Sequence, residues 1–283
     1  YPNFRIYDPT TGDAGGNGRA VFPGAVIPAN RISSIAKAIQ DTYPAPNTGD
    51  LNRNGVADDY VVRRAPLFDR HNYDVKVSFN RSSAHQIWGK LSYLDADVQD
   101  RFQIGFDQVA PAPTKVTAPV VGHTWTLSPT LILDGSFGVT YNEQSGLSPD
   151  YGTNWGSEIW GIPGTNGSDI RQSGQPQINT GLSAIGNFSS WNPYFYTTSV
   201  YSFSQALTKV AGRHELRAGY DLNHLEMNHW QPEIGSGPRG AFTFGGNVTG
   251  AVGYQPVGGF NSYAAFLLGL PSSYGKSVQA EEM

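Results

Sequence analysis

Between Asp69 and Asp100 the chain alternates apolar and polar residues along two long runs, and this pattern restricts the fold more than any other feature. Tyr73, Val75, Val77 and Phe79 alternate with Asp74, Lys76 and Ser78. After a short polar turn over Asn80–Ala84, Ile87, Leu91 and Tyr93 alternate with Gln86, Lys90 and Ser92, with Trp88 and Gly89 as irregularities. A period of two makes a strand with one apolar and one polar face, and two such runs around a short turn make an antiparallel hairpin. Each run is about ten residues or more, against five or six in an ordinary soluble sheet. That length suits a tilted strand crossing an outer-membrane hydrocarbon layer, although a large soluble sheet can carry the same pattern.

The pattern recurs. Val116–Leu127, Leu131–Asn142, Tyr194–Leu207 and His214–Trp230 read as further strands. Short connections after Phe79, Leu127 and Leu207 alternate with long ones after Tyr93, Tyr141 and Trp230. Outer-membrane barrels segregate short turns to one end and long loops to the other, and a sandwich has no reason to. The predicted fold class is all-β: an antiparallel meander of long strands, part of a transmembrane β-barrel, with long external loops and one or two short helices. Residues 1–66 read as an external-loop segment. It carries an amphipathic helix over 31–42, N-capped by Asn30 and stopped by Pro44 and Pro46. Residues 67–231 form the meander, with Tyr151–Pro193 as one long loop. Residues 232–283 hold a strand at 241–244, a helix over Asn261–Leu270 ended by Pro271, and the start of a further strand over Ser272–Gln279.

Composition excludes several classes. Charged residues are 15% of the 283, below the roughly 25% of soluble domains, while aromatics reach 12% and glycines number 34. With 0 cysteines there is neither a disulfide framework nor a thiolate metal site. A net charge of -4 without a basic block gives nucleic acid no electrostatic support. No run of 18 apolar residues proposes a transmembrane helix. The start at Tyr1, without a charged and then apolar leader, reads as a piece of a longer chain.

The most specific chemical signal is Asp50–Asp59. Asp50, Asn52 and Asn54 place side-chain oxygens at alternate positions, Gly55 allows the sharp turn, Val56 offers its carbonyl, and Asp58 binds directly or through water. The loop resembles the calcium loops of dockerin and thrombospondin type 3 repeats. It departs from an EF-hand at position twelve, where Val61 replaces the bidentate acid, which implies weak calcium binding; the alternative is a loop of Asx turns without an ion. His224, Glu226 and His229 suggest zinc, but on a strand His229 faces away from the other two. Trp155, Trp160, Trp191 and Tyr194 are candidate ligand-binding residues that could stack on a sugar, or else join an interfacial girdle or pack their own loop. Asp95, Asp97 and Asp100 suit a glycosidase pair or a solvated rim. Ser34-Ile-Ala-Lys37 matches S-x-x-K, without the partner motifs of serine acyl enzymes.

A succession of short segments carries a family resemblance: Ile6–Pro9, Phe22–Pro28 with Arg31–Lys37, Tyr43–Asn47, Asp69–Lys76, Thr124–Leu131, Gly212–Gly219 and Ala265–Pro271. In this order the chain resembles the barrel region of Oar-like TonB-dependent receptors, outer-membrane barrels bearing a carboxypeptidase-regulatory-like domain. The resemblance implies a mid-barrel fragment, because no plug, TonB box or terminal aromatic strand is present. Such receptors close with about 22 strands, of which this piece supplies about six to eight. It implies uptake of a large or scarce nutrient at the bacterial outer membrane rather than catalysis. The implied partners are outer-membrane lipid, the TonB system through the missing plug, and a nutrient or glycan ligand. Calcium is the only cofactor suggested. The alternative is a secreted β-rich hydrolase, carbohydrate-active or otherwise, using surface carboxylates.

Overall fold

The computed structural model describes residues 3–49, 60–99, 103–106, 110–182, 184–188, 191–232 and 235–277. In chain order its elements are α1 (Ser34–Thr42), β1 (Leu67–Ser82), β2 (His85–Gln99), β3 (Pro113–Ser128), β4 (Leu131–Gly146), β5 (Gln177–Asn179), β6 (Ala184–Ile185), β7 (Tyr194–Ala211), β8 (His214–Trp230), β9 (Ala241–Thr243), α2 (Gly258–Leu267) and β10 (Ser273–Gly275), joined by short single-turn helices.

The six alternating runs form one antiparallel sheet in the order β1-β2-β3-β4-β7-β8. Its strands are 15 to 18 residues long, about three times the usual length. Each neighbour follows its predecessor in the chain apart from the β4–β7 step, which skips the long loop. The tight turns after β1, β3 and β7 lie together at one end, and the long connections leave from the other, as the sequence predicts. Among the described residues the outer edges of β1 and β8 pair with nothing.

The buried core lies in the connections rather than in the sheet. Ala36 and Ile39 of α1, Trp160 and Ile162, Ile178 of β5, Ile185 of β6, Phe244, and Ala265 and Phe266 of α2 pack together. A second cluster joins Ile6, Phe22 and Ile27 to Ala264. Beside them runs a small sheet in the order β10-β9-β5-β6, with β5 and β9 parallel. Segments far apart in the chain thus build one cap beyond the loop end of the strands.

Four details differ from the sequence reading. The first helix begins at Ser34, three residues later than its spacing predicts, and Ser33 rather than Asn30 is the N-cap. Residues Ala29–Arg31 instead make a separate tight turn, because the Arg31 guanidinium is drawn to Asp8 through two hydrogen bonds of 2.9 Å. The second helix starts at Gly258 and ends at Leu267, before Gly269 at φ 71. Residues 273–275 pair with β9 in the cap, so this strand does not extend the meander. The described residues of the Tyr151–Pro193 connection belong to the cap and carry β5 and β6, because Ile178, Ile185 and Trp160 are among the apolar groups that fill it.

Candidate functional site

The large sheet presents two chemically distinct faces. On one, Tyr73, Val75, Val77 and Phe79 lie opposite Tyr93, Leu91, Gly89 and Ile87. The same face continues through Val121 and Trp125, then Leu133, Phe137 and Tyr141, then Tyr201, Phe203 and Leu207, and finally Leu216, Tyr220 and Leu222. Most of these large apolar groups are exposed; Val77 is 65% and Phe137 46% accessible. Toward the loop end the face changes abruptly. Beyond the Tyr73, Tyr93 and Tyr141 register comes a row of His71, Asp95, Lys115 and Glu143.

The apolar band slants across the register. In β1 it runs from Tyr73 to Phe79, whereas in β8 it runs from Leu222 to Leu216, four register positions nearer the turns. Four residues over five interstrand steps correspond to a strand tilt of about 30° against the band, close to the tilt of closed barrels. From Leu131 to Tyr141 the band then measures about 29 Å in height, close to the thickness of a bilayer hydrocarbon layer.

The opposite face is polar. Asp74 accepts from Ser92 at 2.6 Å and pairs with Lys90 at 2.9 Å. Thr124 donates to Asp134 and Ser202 to Asn223. Trp88 lies on this face beneath Lys76, 5.0 Å from the ammonium, in a slot opened by Gly122, where a Cβ would fall 2.4 Å from the ring.

A sequence-family model described as outer membrane beta barrel domain matches residues 2–283. The chain belongs to the outer-membrane β-barrel family. No curated protein and no solved structure matches it.

The barrel's apolar face is therefore the lipid face, its polar face lines the lumen, and the tyrosine row marks the outer interface. The outer-membrane location replaces the secreted alternative. Asp95 and Asp97 sit on the outer wall just beyond the tyrosine row. There Asp97 accepts from the Ala112 amide at 2.9 Å and from Gln99 at 2.6 Å, and Tyr93 donates to Asp95. Asp100 lies outside the described residues.

The four candidate ligand-binding aromatics do not converge. Trp160 is 2% exposed in the cap core and its indole donates to Thr42 at 3.0 Å. Trp155 meets it edge-on at 6.3 Å and meets Phe106 on another side. Both are cap packing. Trp191 is half exposed in the long connection. Tyr194 faces the lumen mouth, where Gln144 donates to its hydroxyl at 3.3 Å. One register step further in, Tyr196 stands edge-on to His229 at 5.4 Å. His224 and Glu226 share the opposite face at 3.3 Å, so the three residues cannot ligate one zinc ion, as strand geometry predicts. Lys37 of the S-x-x-K motif is solvent-exposed and paired with Asp41. The calcium candidates Asp50, Asn52, Asn54, Val56 and Asp58 lie outside the described residues.

Two features escaped the sequence reading because they join distant segments. In the cap, buried Asp150 accepts from the Gln175 amide at 2.7 Å and from Asn187 at 2.9 Å. Beside it Arg239 donates to the Asn192 carbonyl, and burial pushes its guanidinium below the ordinary value against the opposing pull of Asp150. On the outer wall a cavity of about 430 Å³ is lined by Tyr151, Asp169, Ile170, Arg171, Phe195, Thr197, Asn228 and Trp230.

Proposed function

We propose that this barrel wall and cap belong to a TonB-dependent receptor of the Oar-like kind, which takes up a large or scarce nutrient. The observation that carries the reading is the cap itself. The external connections here do more than link strands: they fold around their own apolar core at the outer end of the strands. An ordered cap suits a transporter that must recognise a particular substrate before admitting it. The lumen mouth below it offers Tyr194, Tyr196, His229 and Gln144, a mixture of rings and hydrogen-bonding groups suited to a glycan or other polar nutrient. Among the described residues the edges of the six-stranded sheet, 16 and 17 residues long, have no partner strand, so on this reading the wall closes with further strands. The TonB system would act through a plug inside that closed barrel.

The test uses the full-length protein in its outer membrane. Labelled candidate nutrients, glycans and peptides among them, are followed into cells with and without TonB. Uptake that needs both this protein and TonB is the expected result. Diffusive uptake unaffected by loss of TonB would overturn the proposal and leave a passive barrel.

A further inference from the structure

We propose that the cavity on the outer wall holds the saccharide headgroup of an outer-leaflet glycolipid. The inference rests on the barrel's place in the membrane and not on the transport reading.

The position comes first. Phe195, Thr197, Asn228 and Trp230 belong to the lipid-side face of β7 and β8, where Phe195 registers with Trp230 and Thr197 with Asn228. They cannot touch cargo in the lumen. Tyr201 is the last aromatic of the apolar band on β7, and Thr197 and Phe195 lie four and six residues beyond it. At the strand rise and tilt of a barrel those steps are about 11 and 16 Å above the hydrocarbon edge. An ordinary phospholipid headgroup layer reaches only about 5–8 Å. A lipid that occupies this height must carry sugars.

The chemistry then agrees. Three rings run in a row along the wall: Tyr151 to Phe195 at 6.5 Å, and Phe195 to Trp230 at 6.2 Å. Arg171 stands over Trp230 at 4.5 Å. Asp169 holds Arg171 in place, pairing with its guanidinium at 2.6 Å and accepting from its amide at 2.9 Å. That pairing keeps the Asp169 carboxyl below its ordinary range. Aromatic faces beside a fixed carboxylate–guanidinium pair suit a sugar ring, whose C–H face stacks while its hydroxyls bond to the charged groups and to Thr197 and Asn228. A bare hydrocarbon chain needs none of these polar groups. The long external connection supplies Tyr151, Asp169, Ile170 and Arg171, so a seated headgroup would also tie this part of the cap to the membrane surface.

The test titrates the purified full-length protein in mild detergent with lipopolysaccharide, with phosphatidylglycerol and with the lipid-free core oligosaccharide. Retained lipid is read by native mass spectrometry. Lipopolysaccharide should be retained, phosphatidylglycerol should not displace it, and the free oligosaccharide should bind at least tenfold more weakly than the whole glycolipid. Trp230→Ala and Arg171→Ala should each weaken retention about tenfold. Asn228→Ala, at an exposed strand position that leaves the ring row intact, should weaken it several-fold and serves if the tryptophan variant does not fold. Ser202→Ala, on the lumen face of β7 and outside the lumen-mouth set, should change nothing. Equal retention by wild type and all three wall variants would overturn the proposal. So would equal displacement by phosphatidylglycerol, or binding of the free oligosaccharide as tight as that of the glycolipid.

Discussion

Placing a charge on the lipid face of β4 separates the membrane-wall reading from any soluble sheet. Phe137 lies four residues from Leu133 and four from Tyr141, near the centre of the apolar band. Phe137→Arg should cost about 2–4 kcal/mol of folding free energy, the cost of a basic residue near the bilayer midplane. At about 1.4 kcal/mol per tenfold, the ratio of folded to unfolded protein falls about 30- to 700-fold. Tyr141→Arg, at the interface, should cost only about 0–1 kcal/mol. Thr140→Arg, beside it in sequence but exposed on the lumen face, should cost almost nothing. The assay is urea titration of the full-length protein refolded into lipid vesicles, followed by tryptophan emission. A Thr140→Arg penalty equal to that of Phe137→Arg would show that the two faces are not lipid and lumen. A flat profile from Phe137 to Tyr141 would show that the band is not a hydrocarbon slab.

Other expectations follow from the cap. Asp8 is held down to about 2 by the Arg31 guanidinium and Thr10, so its stabilising contribution is complete above about pH 4 and disappears as pH falls through about 2. Amide exchange over Asp8–Arg31 should accelerate across that window, and Asp8→Asn should exchange fast at every pH. Trp160→Ala should loosen the cap by about 3–5 kcal/mol through loss of a buried indole, seen as protease cleavage in the loops while the sheet stays protected. If Asp50–Asp59 holds calcium, proteolysis there should slow with calcium, and Asp50→Ala should abolish the protection. Equal rates with calcium and with chelator would identify the segment as turns alone.

The strands were legible because each carries its own evidence. In Asp69–Ala84 the alternation and the turn residues sit within sixteen positions, so local chemistry alone specifies face and pairing. The placement of His229 away from His224 and Glu226 followed from the same periodicity. The cap was not legible in this way. Nothing near Arg31 in sequence says that Asp8 will capture it and delay the helix to Ser34. Ser272–Gln279 looks like one more strand of the meander until β9 takes residues 273–275 into the small sheet. Trp160 and Trp191 look alike in sequence, yet one fills the core and the other faces solvent. The wall cavity needs Arg171 from a loop and Trp230 from a strand, a combination that only the folded chain brings together.

The cap's construction sets an order of events. Asn261 donates to the Arg5 carbonyl across 256 positions, Tyr7 donates to Thr249, and Ser33 to Leu267. Each of these contacts closes a loop containing the whole meander, and such long-range closures are slow to form. While the strands are being laid into the bilayer, the segment around Ile6, Phe22 and Ile27 therefore waits without its partner Ala264. The cap is completed last: a barrel can already be sealed against its lipids while its outward-facing surface is still unmade, and any chaperone or protease that samples the nascent wall will find these three apolar groups in the open.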